Sequence, residues 1–214
     1  MTFKKNVFIW GAGGQGRIIL DILKQNKEVK ICGFIDSNKE IWGKTIDKIK
    51  ILGGKDELQK LKKRGIKMGF VAIGDNKIRS EIARYLNKQG FSLINVIHPK
   101  AIVAKNVLLG QNIAICMGAL VATGAVIKDN VIINSGAIIE HQNIIENGAH
   151  IASGAKLAGH VIVGEKAFVG IGSTVIQYKK IGENSIIGAG AVVIKDIPNN
   201  VAAVGVPAKI IKHF

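Results

Sequence analysis

The chain has 214 residues, 48% of them hydrophobic, and carries 30 basic against 15 acidic side chains for a net charge of +15. That much apolar content excludes a disordered polyelectrolyte and suffices for one large domain or two small ones, each with its own core. No apolar run approaches the ~20 residues of a membrane span, so no membrane insertion is expected.

The charge raises nucleic-acid binding first, and the composition argues against it. Arginine, the residue suited to bidentate reading of bases and phosphates, occurs only at Arg17, Arg64, Arg79 and Arg84. Aromatic residues make up 5% of the chain, too few for a stacking platform. Lysines spread along helix-like segments fit a solvated face and the attraction of a small polyanion such as a nucleotide. From Met1 to Val7 the chain passes from two lysines into a strand-like run that a Gly-rich loop cuts short, so no cleaved signal peptide is expected. Cys32 and Cys116 each sit in an apolar segment and read as small buried hydrophobes, which favours the cytoplasm.

In chain order, Val7 to Trp10 predicts a strand, followed by Gly11-Ala12-Gly13-Gly14-Gln15-Gly16. A helix is predicted from about Arg17 to Lys24, with Ile18, Ile19, Ile22 and Leu23 apolar. A second strand, Ile31 to Ile35, ends at Asp36, and Lys55 to Arg64 predicts a helix. Phe70 to Ile73 is a strand closing on Gly74-Asp75-Asn76. Ile78 to Lys88 predicts a helix with Ile78, Ile82, Tyr85 and Leu86 on one face, and Phe91 to Ile97 is a last strand into His98-Pro99. This alternation implies a small parallel sheet, a half-Rossmann α/β domain over residues 1–98.

From Ala101 the pattern changes. Sixteen consecutive six-residue blocks follow without insertion, and the third position of each is aliphatic, from Val103 and Leu109 through to Ile187 and Val193. The first position is Ala, Val or Ser in thirteen of the sixteen. A period of six is neither helical nor a plain strand alternation. It fits one short strand plus one corner, three such units closing a triangular coil, with the third position stacked inside. Gly and Asn recur near block ends, at Gly110, Gly124, Asn130, Gly148 and Gly154, where corners demand positive φ. Residues 99–214 are therefore expected to be an all-β parallel coil with a C-terminal tail.

Strand, Gly11-x-Gly13-x-x-Gly16, helix, then an acid at Asp36 is also the dinucleotide fingerprint: glycines admit a pyrophosphate at a helix N-terminus and the acid accepts from ribose hydroxyls. NAD, a nucleotide diphosphate sugar and a bare tight turn all remain open on these residues. The short domain and the absence of an evident hydride-transfer site weigh against NAD. A zinc enzyme built on His141, His150 and His160 is disfavoured by spacing. They lie nine and ten residues apart, whereas coil neighbours lie about eighteen apart, so the three cannot stack on adjacent coils at one corner. His160 and His213 read as surface residues and His98 as structural.

The hexads resemble the hexapeptide-repeat family, whose members fold as left-handed parallel β-helices; the handedness is taken from that resemblance. More narrowly, the whole chain resembles the acetyltransferases of nucleotide-linked amino sugars and the sialic acid O-acetyltransferase-like proteins. In the first domain the likeness rests on the Gly11–Gly16 loop, Phe34-Ile35-Asp36, and Ala72-Ile73-Gly74-Asp75-Asn76-Lys77-Ile78-Arg79. In the second it rests on Ile139-Glu140-His141, Gly148-Ala149-His150-Ile151, Gly154-Ala155 and Gly205-Val206-Pro207-Ala208-Lys209.

The resemblance implies an acetyl-CoA-dependent N-acetyltransferase, with a UDP-linked 4-amino-dideoxy sugar preferred as acceptor, a sugar O-acetyltransferase as the alternative, and no metal. Gly13, Gly14, Gln15, Asp36, Ser37 and Gly74 would hold the nucleotide sugar. His141 would be the general base with Gln142 beside it. His150, Ile171, Ala189 and Lys209 would line the acetyl-CoA groove, and the active sites of a homotrimer would lie between subunits. An imidazole titrating near ~6.5 suits removal of the amine proton at neutral pH. The family commonly places a carboxylate directly after this histidine. Here that position is Gln142, so either the base is weaker or Glu140 or Glu146 supplies the charge.

Overall fold

The computed structural model describes residues 5–214, and these separate into two compact units, one ending at Val96 and one spanning Ile97–Phe214. The expectation about a leader rests in part on residues 1–4, which lie outside the described residues. No helix among the described residues is long and apolar enough to cross a membrane.

The first unit is a Rossmann-like α/β fold. Its elements are β1 (Lys5–Trp10), α1 (Gly14–Lys24), β2 (Val29–Ile35), a 3-10 turn (Lys39–Ile41), β3 (Thr45–Ile46), β4 (Ile49–Gly53), α2 (Glu57–Lys63), β5 (Met68–Val71), α3 (Asn76–Lys88) and β6 (Ser92–Leu93). The sheet order is β3-β4-β2-β1-β5-β6, parallel except for the β3–β4 pair. Strand β1 is central, and Val7, Phe8 and Ile9 are fully buried, which accounts for its uninterrupted apolar run. At its edge-on contact with Phe91 the Phe8 ring centroid is 5.2 Å away.

Three features depart from expectation. The β3–β4 hairpin turns through Asp47 and Lys48, both at positive φ (46° and 67°), without the glycine that normally announces such a turn. The expected strand Phe91 to Ile97 breaks into β6 and a separate pair, β7 (Val96–Ile97). Helix α3 turns a different face inward: Arg79, Ser80, Ala83 and Leu86 are buried, whereas Ile78 and Tyr85 are 48% and 38% exposed. Two adjacent stripes of α3 have helical spacing, and the buried one is the less apolar because it carries Arg79.

The second unit is a left-handed parallel β-helix. Sixteen two-residue strands, β8 (Ile102–Val103) to β23 (Val192–Val193), recur every six residues, and each from β8 to β20 pairs in parallel with the strand eighteen residues on. One ladder runs Ala114-Ile115, Ile132-Ile133, His150-Ile151, Phe168-Val169, Ile186-Ile187. The third-position side chains from Ile115 to Val193 form one continuous buried stack, while Val103 and Leu109 at the open end are partly buried against it. Strand β24 (Val201–Val204) extends the first sheet in parallel, and β25 (Lys209–His213) folds back antiparallel onto it. Cys32 and Cys116 are free thiols, and burial pushes the Cys116 thiol up to about 11.

Every sixth residue from Asn112 to Gly190 has φ between 54° and 71°, so each corner passes through the left-handed region. Asn143 is one of the three first-position exceptions and lies inside the coil. Its Nδ2 donates to Glu140 O (2.6 Å) and Ala158 O (3.0 Å), and its Oδ1 accepts from Val161 N–H (3.1 Å). A fully buried amide is tolerated there because its polar atoms are used, and it ties together the two coils that carry His141 and His160.

Candidate active site

In the α/β unit the expected nucleotide residues converge on one loop cluster. The carboxylate of Asp36 accepts from Ala12 N–H through Oδ2 (2.7 Å) and from Asn38 N–H through Oδ1 (2.8 Å). Asp36 therefore fastens the Gly-rich loop to the end of β2. The glycines divide into two kinds. A β-carbon at Gly16 would stand 2.1 Å from Gly11 O, and one at Gly11 would stand 2.5 Å from Ala72 O, so both are required by the protein's own packing. At Gly13 and Gly14 a β-carbon would meet nothing within 4 Å; their smallness answers to no neighbour in the chain.

No side chain caps the first turn of α1, and its N-terminus opens at these two residues. The Nε2 of Gln15 is buried without a hydrogen-bond partner among the described residues. Such an atom costs stability unless a ligand satisfies it.

Two further features shape this cluster: the burial of Arg79, which its place in the motif did not reveal, and a cavity beside the expected Ser37 whose tryptophan and lysine lining sequence reasoning did not single out. Arg79 is fully buried and donates from Nη1 to Ile73 O (2.9 Å) and Gly74 O (3.0 Å), and from Nη2 to Asn76 Oδ1 (2.8 Å). It sets the turn at Gly74, which is itself exposed. Burial pulls its guanidinium down to about 10, with Asp75 opposing, so it remains charged at neutral pH. Ser37 opens into a cavity of about 340 Å³ lined also by Trp10, Trp42, Lys39, Lys55, Gly54 and Asp56. The indole N–H of Trp42 donates to Asp36 O (2.8 Å), linking that wall to the loop. Two aromatic walls and two lysines suit a planar, anionic ligand.

Of the β-helix sheets, the one holding β14 (Ile138–Ile139) is the second and the one holding β15 (Ile144–Ile145) the third, and His141 stands exposed on the corner between them. Its Nδ1 lies 3.2 Å from Gln142 Oε1. An amide oxygen there accepts only from Nδ1–H, which leaves Nε2 as the ring's free acceptor. The ring lies against Gly159 and meets the His160 ring edge to face, with centroids 5.2 Å apart at 88°. His160 in turn stacks on Tyr178, at 4.8 Å and 13°. His141 and His160 do meet across adjacent coils, and His160 is half-buried in a ring stack rather than a plain surface residue. His150 lies on a strand of the first sheet, so the three histidines do not converge within one chain.

The carboxylate alternatives are also decided by placement. Glu146 lies past the third sheet and pairs with Lys128 (3.1 Å). Among the described residues no hydrogen bond or ion pair joins the exposed Glu140 carboxylate to His141.

The three edges of the prism differ in their corner residues. One is glycine throughout: Gly118, Gly136, Gly154, Gly172 and Gly190. A second runs Asn112, Asn130, Gly148, Lys166, Asn184. The edge of His141 runs Gly124, Gln142, His160, Tyr178. A residue larger than glycine gives up roughly 1 kcal/mol in this backbone region, so three bulky ones in succession mark an edge held for its side chains.

Of the residues expected to line a CoA groove, Ile171 (59% exposed) and Ala189 lie on the all-glycine edge, His150 is buried on the first sheet, and Lys209 begins β25, exposed. His141 stands on a different edge, six residues of chain away, a span of at most about 20 Å.

A family model described as the PglD N-terminal domain matches residues 6–86. The UDP-N-acetylbacillosamine N-acetyltransferase of Bacillus subtilis (strain 168) is 36% identical over 122 residues, spanning 52% of this chain and about half (51%) of that protein. A histidine-to-alanine variant of the GDP-perosamine N-acetyltransferase of Caulobacter crescentus, solved with CoA and GDP-perosamine, superposes with a TM-score of 0.93 at 36% identity over 97% of both chains. The acetyltransferase domain of PglB from Neisseria gonorrhoeae FA1090, solved with acetyl coenzyme A, gives 0.91 at 29% identity, over 97% of this chain and 100% of that one. With coil, loops and nearly the whole length matched at that identity, the chain belongs to the hexapeptide-repeat sugar acetyltransferase family.

Proposed function

We propose that this chain transfers the acetyl group of acetyl-CoA to the amino group of a nucleotide-linked sugar, by direct attack with His141 as general base. The carrying observation is the His141 corner, where Gln142 occupies Nδ1 and leaves Nε2 to accept a proton. The amine nitrogen attacks the thioester carbonyl, Nε2 takes the proton the amine sheds, and the tetrahedral intermediate collapses. The C–S bond breaks, and the departing CoA thiolate recovers the proton from the imidazolium. A backbone N–H at the thioester would stabilise the oxyanion.

Gly13, Gly14, Gln15, Asp36, Ser37 and Gly74 hold the nucleotide sugar, supported by the open space at the two glycines and the unpartnered Gln15 amide. His150, Ile171, Ala189 and Lys209 line the acetyl-CoA groove. Because Ile171 and Ala189 lie on a different edge from His141, one working site draws on two copies, and a homotrimer closes that arrangement. A UDP-linked 4-amino-dideoxy sugar is the acceptor we favour, by analogy with the Bacillus relative; the GDP-linked substrate of the Caulobacter protein is the competing case.

The test is CoA release against a panel of UDP- and GDP-linked amino sugars and their hydroxyl counterparts. Transfer to an amino sugar, abolished in His141→Ala, is expected. Transfer only to hydroxyl sugars would overturn the N-acetylation reading, and tight NADH binding would revive the oxidoreductase. A monomer at micromolar concentration by light scattering would overturn the shared site.

A further inference from the structure

We infer that His160, backed by Tyr178, is a positioning residue that fixes the orientation of the His141 imidazole; the inference rests on His141 being the base. An exposed histidine on a corner turns freely about two side-chain bonds unless something holds its ring. Gln142 touches one edge of that ring through a single neutral contact of 3.2 Å. The Gly159 backbone lies beneath the ring, and among the described residues the only ring against it is His160, edge to face at 5.2 Å, itself held in place by the Tyr178 ring stacked on it at 4.8 Å. The column therefore builds rigidity outward from coil to coil, towards the one side chain that does chemistry.

The backbone supports the same assignment independently. His160 and Tyr178 have φ of 58° and 59°, where one of the other two edges uses only glycine and the second uses asparagine, glycine and a single lysine. Glycine or asparagine would fold equally well at either position, and neither would offer a ring. What the contact supplies is shape rather than charge, so phenylalanine should substitute for either residue.

The experiment is steady-state kinetics of His160→Ala, His160→Phe, Tyr178→Ala and Tyr178→Phe, with His141→Ala and the His141→Ala/His160→Ala double variant. The two alanine variants should lower kcat by about tenfold with both KM values within twofold. The two phenylalanine variants should restore kcat to within about threefold. In the His141→Ala background, loss of His160 should cause no further fall, because it acts only through His141.

A multiplicative loss in the double variant would overturn the inference, as would a rise in sugar KM with kcat intact, which would make His160 a substrate contact. Unchanged kcat in His160→Ala with His141→Ala inactive would also overturn it while leaving the base in place. Full activity in His141→Ala would remove both. Thermal melts of each variant separate folding defects, and a phenylalanine variant that melts normally but stays slow counts against the inference.

Discussion

The imidazole of His141 lies across the α-carbon of Gly159: a β-carbon built there would stand 2.5 Å from both Cε1 and Nε2 of the ring. Gly159 has no positive φ, so its backbone admits alanine without strain. The clash falls on a mobile side chain, which can swing aside. Gly159→Ala should therefore leave the melting temperature within a few degrees while lowering kcat at least tenfold, with little change in either KM. A fully active Gly159→Ala enzyme would mean that the ring position seen here is not the working one.

Gln142→Glu places a carboxylate against the ring where a neutral amide now sits. An adjacent anion favours the imidazolium, so the base form is reached only at higher pH. The acid limb of the kcat/KM profile should move to higher pH while the enzyme stays active. Glu146→Gln should leave that limb in place, since Glu146 already faces Lys128 from beyond the third sheet. A limb that moves to lower pH in Glu146→Gln would show that its charge does reach His141.

Much of this was legible in the primary structure, for physical reasons that also explain the rest. Sixteen aliphatic third positions leave little choice of fold, because only a stacked coil buries one residue in six without interruption. The ring column was hidden because His141, His160 and Tyr178 lie nineteen and eighteen residues apart, and the offset of one between corner positions disguises the contact. The inward face of α3 was misjudged because apolarity favours Ile78 and Tyr85, and a buried arginine carries no apolar signal. The β3–β4 hairpin was hidden because its turn is Asp47-Lys48 rather than a glycine pair. Lys48→Gly should relieve the left-handed residue and stabilise the unit by about 1 kcal/mol in urea unfolding, with activity unchanged.

Asp36→Ala removes the acceptor that holds Ala12 N–H, so the Gly-rich loop loses its tie to β2. The sugar-substrate KM should rise at least tenfold while the acetyl-CoA KM stays within twofold. Asp36→Asn retains an acceptor oxygen and should fall between the two. An equal rise in both KM values would point to a general loss of fold.

Arg79 offers the last test, because its role is structural yet aimed at the sugar loop. Its guanidinium satisfies two carbonyls and one amide oxygen at the Gly74 turn from a fully buried position. Arg79→Met fills similar volume but strands those acceptors, and should cost about 3 kcal/mol in unfolding free energy. The pH dependence has a definite sign. The folded group titrates at about 10, below the ordinary arginine range, so the unfolded chain binds the extra proton over that interval. This group's contribution to stability is therefore constant below pH 10 and grows more favourable as pH rises above about 10, the reverse of a salt-bridged arginine. The difference in stability between the parent and Arg79→Met should accordingly be flat from pH 6 to 9. In the same variant the sugar KM should rise and the acetyl-CoA KM hold, since Gly74 loses its support while the β-helix is untouched. A variant as stable as the parent would mean that water or a rearranged turn satisfies the carbonyls, and that Arg79 does not set the loop.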